Sequence, residues 1–164
     1  MNHSELKVHV LRAIGKLDAC DKDMFTHDVS EWAIAHRLAV YLEQEIPGWS
    51  VDCEYNRQGL DKDPKAMSNG KNVRPDITLH HRGQMEAHHN LLVVEIKKRG
   101  EADSDMRKAC EYTKPPEGAR EFQYQFGLAL SVVEGRMLRW FTEGKEISTK
   151  TSQIRIRSTS SSET

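Results

Sequence analysis

At 164 residues the chain is long enough for one domain with a real hydrophobic core and too short to expect two. Charged residues make up 30% of it and apolar ones 37%, as in a soluble globular protein, and a formal net charge of −1 excludes inferring a nucleic-acid partner from bulk charge: a basic footprint would have to be local. Cys20, Cys53 and Cys110 are odd in number, far apart and form no CxxC pair, which argues against a disulfide framework or a cysteine zinc site and for a reducing compartment.

The opening MNHSELKVHVL has no basic stretch leading into an apolar one, and the longest mostly apolar run, FGLALSVV, is far below spanning length, so a cytoplasmic protein is expected. Leu6, Val10, Ile14 and Leu17 recur at helical spacing and predict an amphipathic helix from about Ser4 to Ala19, after which CDKDMFTHD breaks the pattern. A stronger helix follows in DVSEWAIAHRLAVYLEQEIPGW, with Ala35, Leu38, Leu42 and Ile46 on one stripe and Pro47-Gly48 at its end. Asp28 and Glu31 have the spacing of a capping box, yet Glu31 also falls on the inward stripe. SVDCEYNR reads as a strand that runs into a long polar loop over residues 57–73, which includes Lys71.

PDITLHHRG and NLLVVEIKKRG are two further strands, separated by QMEAHH. EADSDMRKACEYTK is a short helix stopped by Pro115 and Pro116, and FQYQFGLALSVVEG with RMLRWFTEG reads as a hairpin turning at Glu134-Gly135. The Ser/Thr-rich end has the composition of a flexible tail, giving one domain over residues 1–150 and a tail over 151–164. The order of elements, α-α-β-β-β-α-β-β, predicts an α/β fold with a mixed central sheet flanked by helices.

Chemistry concentrates at the end of LLVVEIKK. Four large apolar residues mark a strand buried on both faces, where charge is costly unless it is paired or binds a metal. Strand alternation puts Glu95 and Lys97 on one side, and antiparallel pairing with the preceding strand would bring its first residues, Asp76 among them, beside them. Two carboxylates in a partly dry site repel each other, and a hard divalent cation such as magnesium, which takes oxygen ligands, answers that repulsion. An adjacent lysine can orient a metal-bound water or stabilise charge on a phosphate oxygen, which suits phosphodiester hydrolysis.

Pro75-Asp76, then 18 residues, then Glu95-Ile96-Lys97 resembles the signature of the PD-(D/E)XK nuclease superfamily, with its restriction-endonuclease-like fold. The likeness extends over most of the chain, since that core runs helix, three strands, helix, strand. The resemblance implies Asp76 and Glu95 as metal ligands, with the Ile96 carbonyl as a further one, Lys97 as the catalytic lysine, and Glu31 on the first core helix as part of the site. It implies magnesium, with manganese as a substitute. DNA is the expected substrate, RNA an alternative, and a two-fold dimer the simplest way to cut both strands of a duplex.

Arg74, Lys98, Arg99, Arg107 and Lys108 flank the motif and read either as a solvated face or as phosphate contacts. His80-His81 and His88-His89 lack the spacing of a metal finger and read as exposed loop and strand-end residues; Trp32, Trp49 and Trp140 read as core or cover. Tyr124 and Gln125 read as hydrogen-bonded residues at the edge of the core. Besides the nuclease, a non-catalytic nucleic-acid- or partner-binding module on the same fold is the second expectation, and a histidine-based metal hydrolase the third.

Overall fold

The computed structural model describes residues 1–58, 63–66, 72–98, 103–117, 122–132 and 136–148. Helix α1, His3–Cys20, starts at a reciprocal cap: the Asn2 side chain accepts from the Glu5 N–H, and the Glu5 carboxylate accepts from the Asn2 N–H, both at 3.0 Å. Its apolar stripe of Leu6, Val10, Ala13, Ile14 and Leu17 is buried. The segment that breaks the pattern is itself a short helix, α2, Lys22–Thr26.

Helix α3, Glu31–Glu45, is capped by Ser30, whose Oγ accepts from the Ala33 N–H at 3.3 Å. The expected Asp28–Glu31 capping box is therefore corrected. Asp28 sits in the left-handed region at φ 56°, and Glu31 is the first helical residue, with its side chain left to point elsewhere. Ile34, Ala35, Leu38, Leu42 and Ile46 are buried, whereas Trp32 is 63% exposed. The core or cover role expected of it is also corrected, because helical phase places Trp32 with exposed His36 and Glu43 on the solvent face.

The strands are β1 (Ser50–Cys53), β2 (Arg57–Gln58), β3 (Asp63–Pro64), β4 (Ile77–His80) and β5 (Asn90–Lys97); helix α4 (Asp103–Thr113) follows, then β6 (Phe126–Ser131), β7 (Leu138–Thr142) and β8 (Lys145–Glu146). Six of them form one mixed sheet in the order β1-β4-β5-β6-β7-β8, while β2 and β3 pair as a separate small ribbon. All neighbours in the large sheet are antiparallel except β5 and β6, which run parallel with α4 as their crossover. This is the mixed sheet flanked by helices that the element order predicts.

Alternation along β5 divides the core. Leu92, Val94 and Ile96 join Leu6, Leu17, Leu38 and Leu42 of α1 and α3, whereas Val93 packs with Tyr112, Phe122 and Tyr124 on the α4 side. Helix α4 lies so close to β6 that a methyl added at Gly127 would stand 2.4 Å from the Ala109 carbonyl oxygen. Strand β8 was not expected. The turn before it holds Glu143 at φ 49° and Gly144 at φ 69°, the conformation of a two-residue hairpin turn, and the signal is the Glu-Gly pair after Thr142.

The turn expected at Glu134-Gly135, much of the loop over residues 57–73, and the tail from 151 onward lie outside the described residues. Among the described residues no helix is long and apolar enough to cross a membrane.

Candidate active site

The site grows from sheet register. Ile77 pairs with Val94, so the next antiparallel step sets Asp76 against Glu95. The Ile96 N–H donates to Asp76 Oδ2 at 2.6 Å, which fixes that carboxylate at the end of β5, while the Ile96 side chain is buried in the main core. Glu95 faces α4 and is 1% exposed; its Oε2 accepts from Lys108 Nζ at 2.8 Å, and its Oε1 has no hydrogen-bond partner.

Helix α4 supplies the opposing wall. Asp105, Lys108 and Tyr112 are spaced three and four apart, so they share a helix face. Lys108 Nζ also donates to Asp105 Oδ1 at 3.1 Å; Asp105 Oδ2 and Tyr112 Oη are buried without a partner. Lys108 thus belongs to the carboxylate pocket while keeping 42% of its side chain exposed.

Burial, and then the neighbouring Asp76, push the Glu95 carboxyl up to about 8, against the pull of Lys108. Burial also raises Asp76, opposed by the Ile96 N–H and by Lys108. Burial would lower the Lys108 ammonium, but Glu95 and Asp105 outweigh it and hold the group above its ordinary value. The two partners pull in opposite senses, one toward a neutral Glu95 and one toward an ionised one. The ammonium is the firmer charge, because the Lys108 side chain is 42% exposed to water and that of Glu95 only 1%. Burial and the nearby carboxylates Glu95 and Asp76 raise the Tyr112 phenol, which therefore stays protonated.

Lys97 and Glu31 form a second cluster. Lys97 Nζ lies 3.2 Å from Glu31 Oε1, and the same oxygen accepts from the Lys98 N–H at 2.9 Å. The expectation that Lys97 stands with Glu95 on one side is corrected: β5 ends at Lys97, and its long, partly exposed side chain turns to the first turn of α3. Glu31 is therefore a link from α3 to the end of β5.

Of the expected phosphate contacts, Arg74 is exposed and lies 3.6 Å from Glu54. Lys98 is engaged: its Nζ donates to the Val29 carbonyl at 2.5 Å and pairs with Asp28 at 2.6 Å. Arg107 Nε donates to the Asp103 carbonyl at 3.2 Å on its own helix. Arg99 and Lys71 lie outside the described residues.

The histidine reading needs one correction. His80 is buried, with Nε2 2.9 Å from Asp52 Oδ2, because it closes β4 beneath the Asp52–Arg82 ion pair. His81 Nδ1 lies 2.9 Å from His89 Nδ1, and Trp49 stacks on His81 with 4.3 Å between ring centres.

Sequence reasoning passed over Asp105 and Tyr112, although they fall with Lys108 and buried Ala109 on one helical stripe. It also passed over Lys65, which lay in a polar loop with no periodic signal. That lysine is 2% exposed, donates to Tyr124 Oη, and has its ammonium over the rings of Tyr55, Tyr124 and Phe122; burial lowers it to about 7.

Among known proteins, no family model, no curated protein and no solved structure matches the chain. Among the described residues no three histidine, cysteine, aspartate or glutamate side chains stand grouped as a ready ion cage. The donor chemistry nevertheless fits a hard cation: Asp76 and Glu95 follow opposite one another from the β4–β5 register, Asp76 is near enough to raise the Glu95 carboxyl, and the buried Glu95 Oε1 is left without a proton donor.

Proposed function

We propose that the chain is a metal-dependent nuclease that hydrolyses phosphodiester bonds, with DNA as substrate, on a restriction-endonuclease-like core. The observation that carries this reading is the meeting of Asp76 with a buried Glu95 whose Oε1 has no hydrogen-bond partner. An uncompensated buried carboxylate oxygen is costly in a purely structural site and useful in one that binds a cation. Supporting it, α3, β1, β4, β5, α4 and β6 follow the helix, three strands, helix, strand order of the superfamily that the Pro75-Asp76 and Glu95-Ile96-Lys97 motifs resemble, with the β2–β3 ribbon inserted.

In this reading Asp76 and Glu95 hold magnesium, or manganese in its place, and the Ile96 carbonyl is the further ligand that the resemblance implies. The bound ion supplies Lewis-acid polarisation of the phosphate and a water more easily deprotonated. The chain's own residues do the positioning. The Ile96 N–H fixes one oxygen of Asp76, and Glu31 holds Lys97 at the end of β5, from where its ammonium would meet charge developing on a phosphate oxygen. Exposed Arg74, just before Asp76, is placed to contact the phosphate backbone, which positions a strand without reading its sequence.

A second reading is a module that binds nucleic acid or a partner without turnover. It is favoured by Lys108, which already offsets part of the Glu95 charge, and by Lys97, which pairs with Glu31 instead of Glu95. Labelled single-stranded, double-stranded and branched DNA and RNA, incubated with the protein in magnesium, manganese or chelator, separate the two. Metal-dependent cleavage lost in Lys97→Ala and Asp76→Asn establishes the nuclease; full cleavage by both variants refutes the site. Salt-sensitive DNA binding with no turnover on any substrate establishes the module.

A further inference from the structure

Two features of α4 play no part in that reading: the Lys108 ammonium shared between Glu95 and Asp105, and the unpartnered Oδ2 of Asp105. Asp105 is 6% exposed, so its lone oxygen is no ordinary surface acceptor. A lysine carries one charge and three donors on a flexible stem. At this point it compensates two carboxylates, with Asp76 close by, and leaves an acceptor on each of the two unsatisfied.

We propose that Lys108 is an internal counter-cation that a divalent ion displaces, and that Asp105, which is not grouped with Glu95 and Asp76 as a ready cage while Lys108 holds its carboxylate, then turns to the ion as a third oxygen donor beside them. The inference rests on the metal-site reading of Asp76 and Glu95 and goes beyond it by drawing α4 into the site. Lys108 has somewhere to go. It lines a cleft of about 790 Å³ along α4, together with Asp103, Arg107, Cys110 and Arg139. A shift of its side chain into that cleft exchanges two carboxylate contacts for water, and a doubly charged ion compensates the vacated carboxylates better than one ammonium does.

This arrangement assigns Lys108 a role opposite to that of Lys97. Lys97 is a charge tethered to Glu31; Lys108 keeps the pocket electrically tolerable without metal and competes with metal for it. A magnesium requirement set higher than the carboxylates alone would give is the consequence, because each binding event must first break the Glu95–Lys108–Asp105 contact.

The test measures binding, not cleavage. Manganese binding is titrated by calorimetry and by electron paramagnetic resonance with the full-length wild type and with Lys108→Met, Asp105→Asn, Asp76→Asn and Lys97→Ala. Lys108→Met is expected to bind about tenfold tighter than wild type, and Asp105→Asn roughly tenfold weaker or worse, as for loss of a supporting ligand. Lys97→Ala is expected to bind as wild type does. Because Lys108→Met leaves Glu95 without its ion pair and could misfold, wild-type protein is also acetylated with and without manganese and the modified lysines are identified by mass spectrometry. Several-fold faster labelling of Lys108 with metal supports displacement. Unchanged labelling, or Lys108→Met affinity equal to or weaker than wild type while Asp76→Asn abolishes binding, overturns the counter-cation and leaves the metal site standing. No binding by wild type or by Lys108→Met overturns both.

Discussion

Replacing Glu95 by glutamine should stabilise the metal-free protein at alkaline pH, although the residue lies at the centre of the proposed chemistry. Folding raises this carboxyl from its ordinary value near 4.5 to about 8, so the native state binds the proton more tightly than the unfolded chain does. Stability therefore falls as pH rises from about 4.5 to about 8, and above that window the full cost of the buried charge is present. At about 1.36 kcal/mol per pH unit, the ceiling on that cost is about 5 kcal/mol. Glutamine has the same shape and no charge; its carbonyl oxygen can still accept from Lys108, but the ionic part of the 2.8 Å contact is lost, while Lys108 keeps Asp105 and partial access to water. The net gain expected is about half the ceiling, roughly 2 kcal/mol at pH 9, or a melting temperature raised by about 4–8 °C for a domain of this size. At pH 5, where Glu95 is already protonated, the two proteins should melt together. Thermal unfolding in chelator at pH 5, 7 and 9 reads this directly. A Glu95→Gln protein that melts lower than wild type at pH 9 would refute the reasoning, since the ion pair with Lys108 would then outweigh the burial of the carboxylate.

Two further outcomes test the frame around the site. Gly127→Ala should destabilise by about 2–4 kcal/mol, because its methyl would meet the Ala109 carbonyl at 2.4 Å and push α4 away from β6; denaturant unfolding measures it, and an unchanged midpoint would mean that α4 is not seated as described. Lys65→Met should show the opposite pH trend to Glu95→Gln. Burial lowers the amine from near 10.5 to about 7, so stability rises with pH through that window, and the full cost of burying the ammonium applies below pH 7. The variant should therefore gain most at pH 6 and least at pH 10 in melting experiments, and a gain that grows with pH would contradict the buried placement of Lys65.

Much of the frame was legible because periodicity and burial agree. The α1 and α3 stripes, the Val/Ile/Leu run of β5 and the β6–β7 pair each carry a pattern that one period explains, and each element is where its pattern puts it. Asp76 was placed beside the end of β5 for the same reason, since antiparallel pairing across one short loop leaves little choice. What failed were inferences about where long or terminal side chains go. Lys97 alternates onto the Glu95 side and its backbone pairs with Ser131, but its side chain is long enough to reach Glu31 at the first turn of α3. Asp28 matched a capping spacing, yet Ser30 begins the helix two residues later, and three-residue spacing alone cannot choose between neighbouring caps. Trp32 was expected as core or cover from its residue type, while helical phase sets it on the solvent face.

Lys108 is the sharper lesson, because its role depends on an interaction between distant parts of the chain. On α4 it is one of several cations, and only the seating of that helix against β5 and β6 turns it toward Glu95. The close approach that makes this possible is the one Gly127 permits. The residue that lets α4 lie close also decides whether Glu95 has a lysine within reach. Cation and carboxylate are thus coupled through packing as well as through charge. A metal that displaces Lys108 would leave the core contacts of Ala109 and Tyr112 in place, since only the Lys108 and carboxylate side chains of the pocket move. A pocket built this way can change its cation without changing its fold, and that is the property a metal-dependent site on a buried strand end requires.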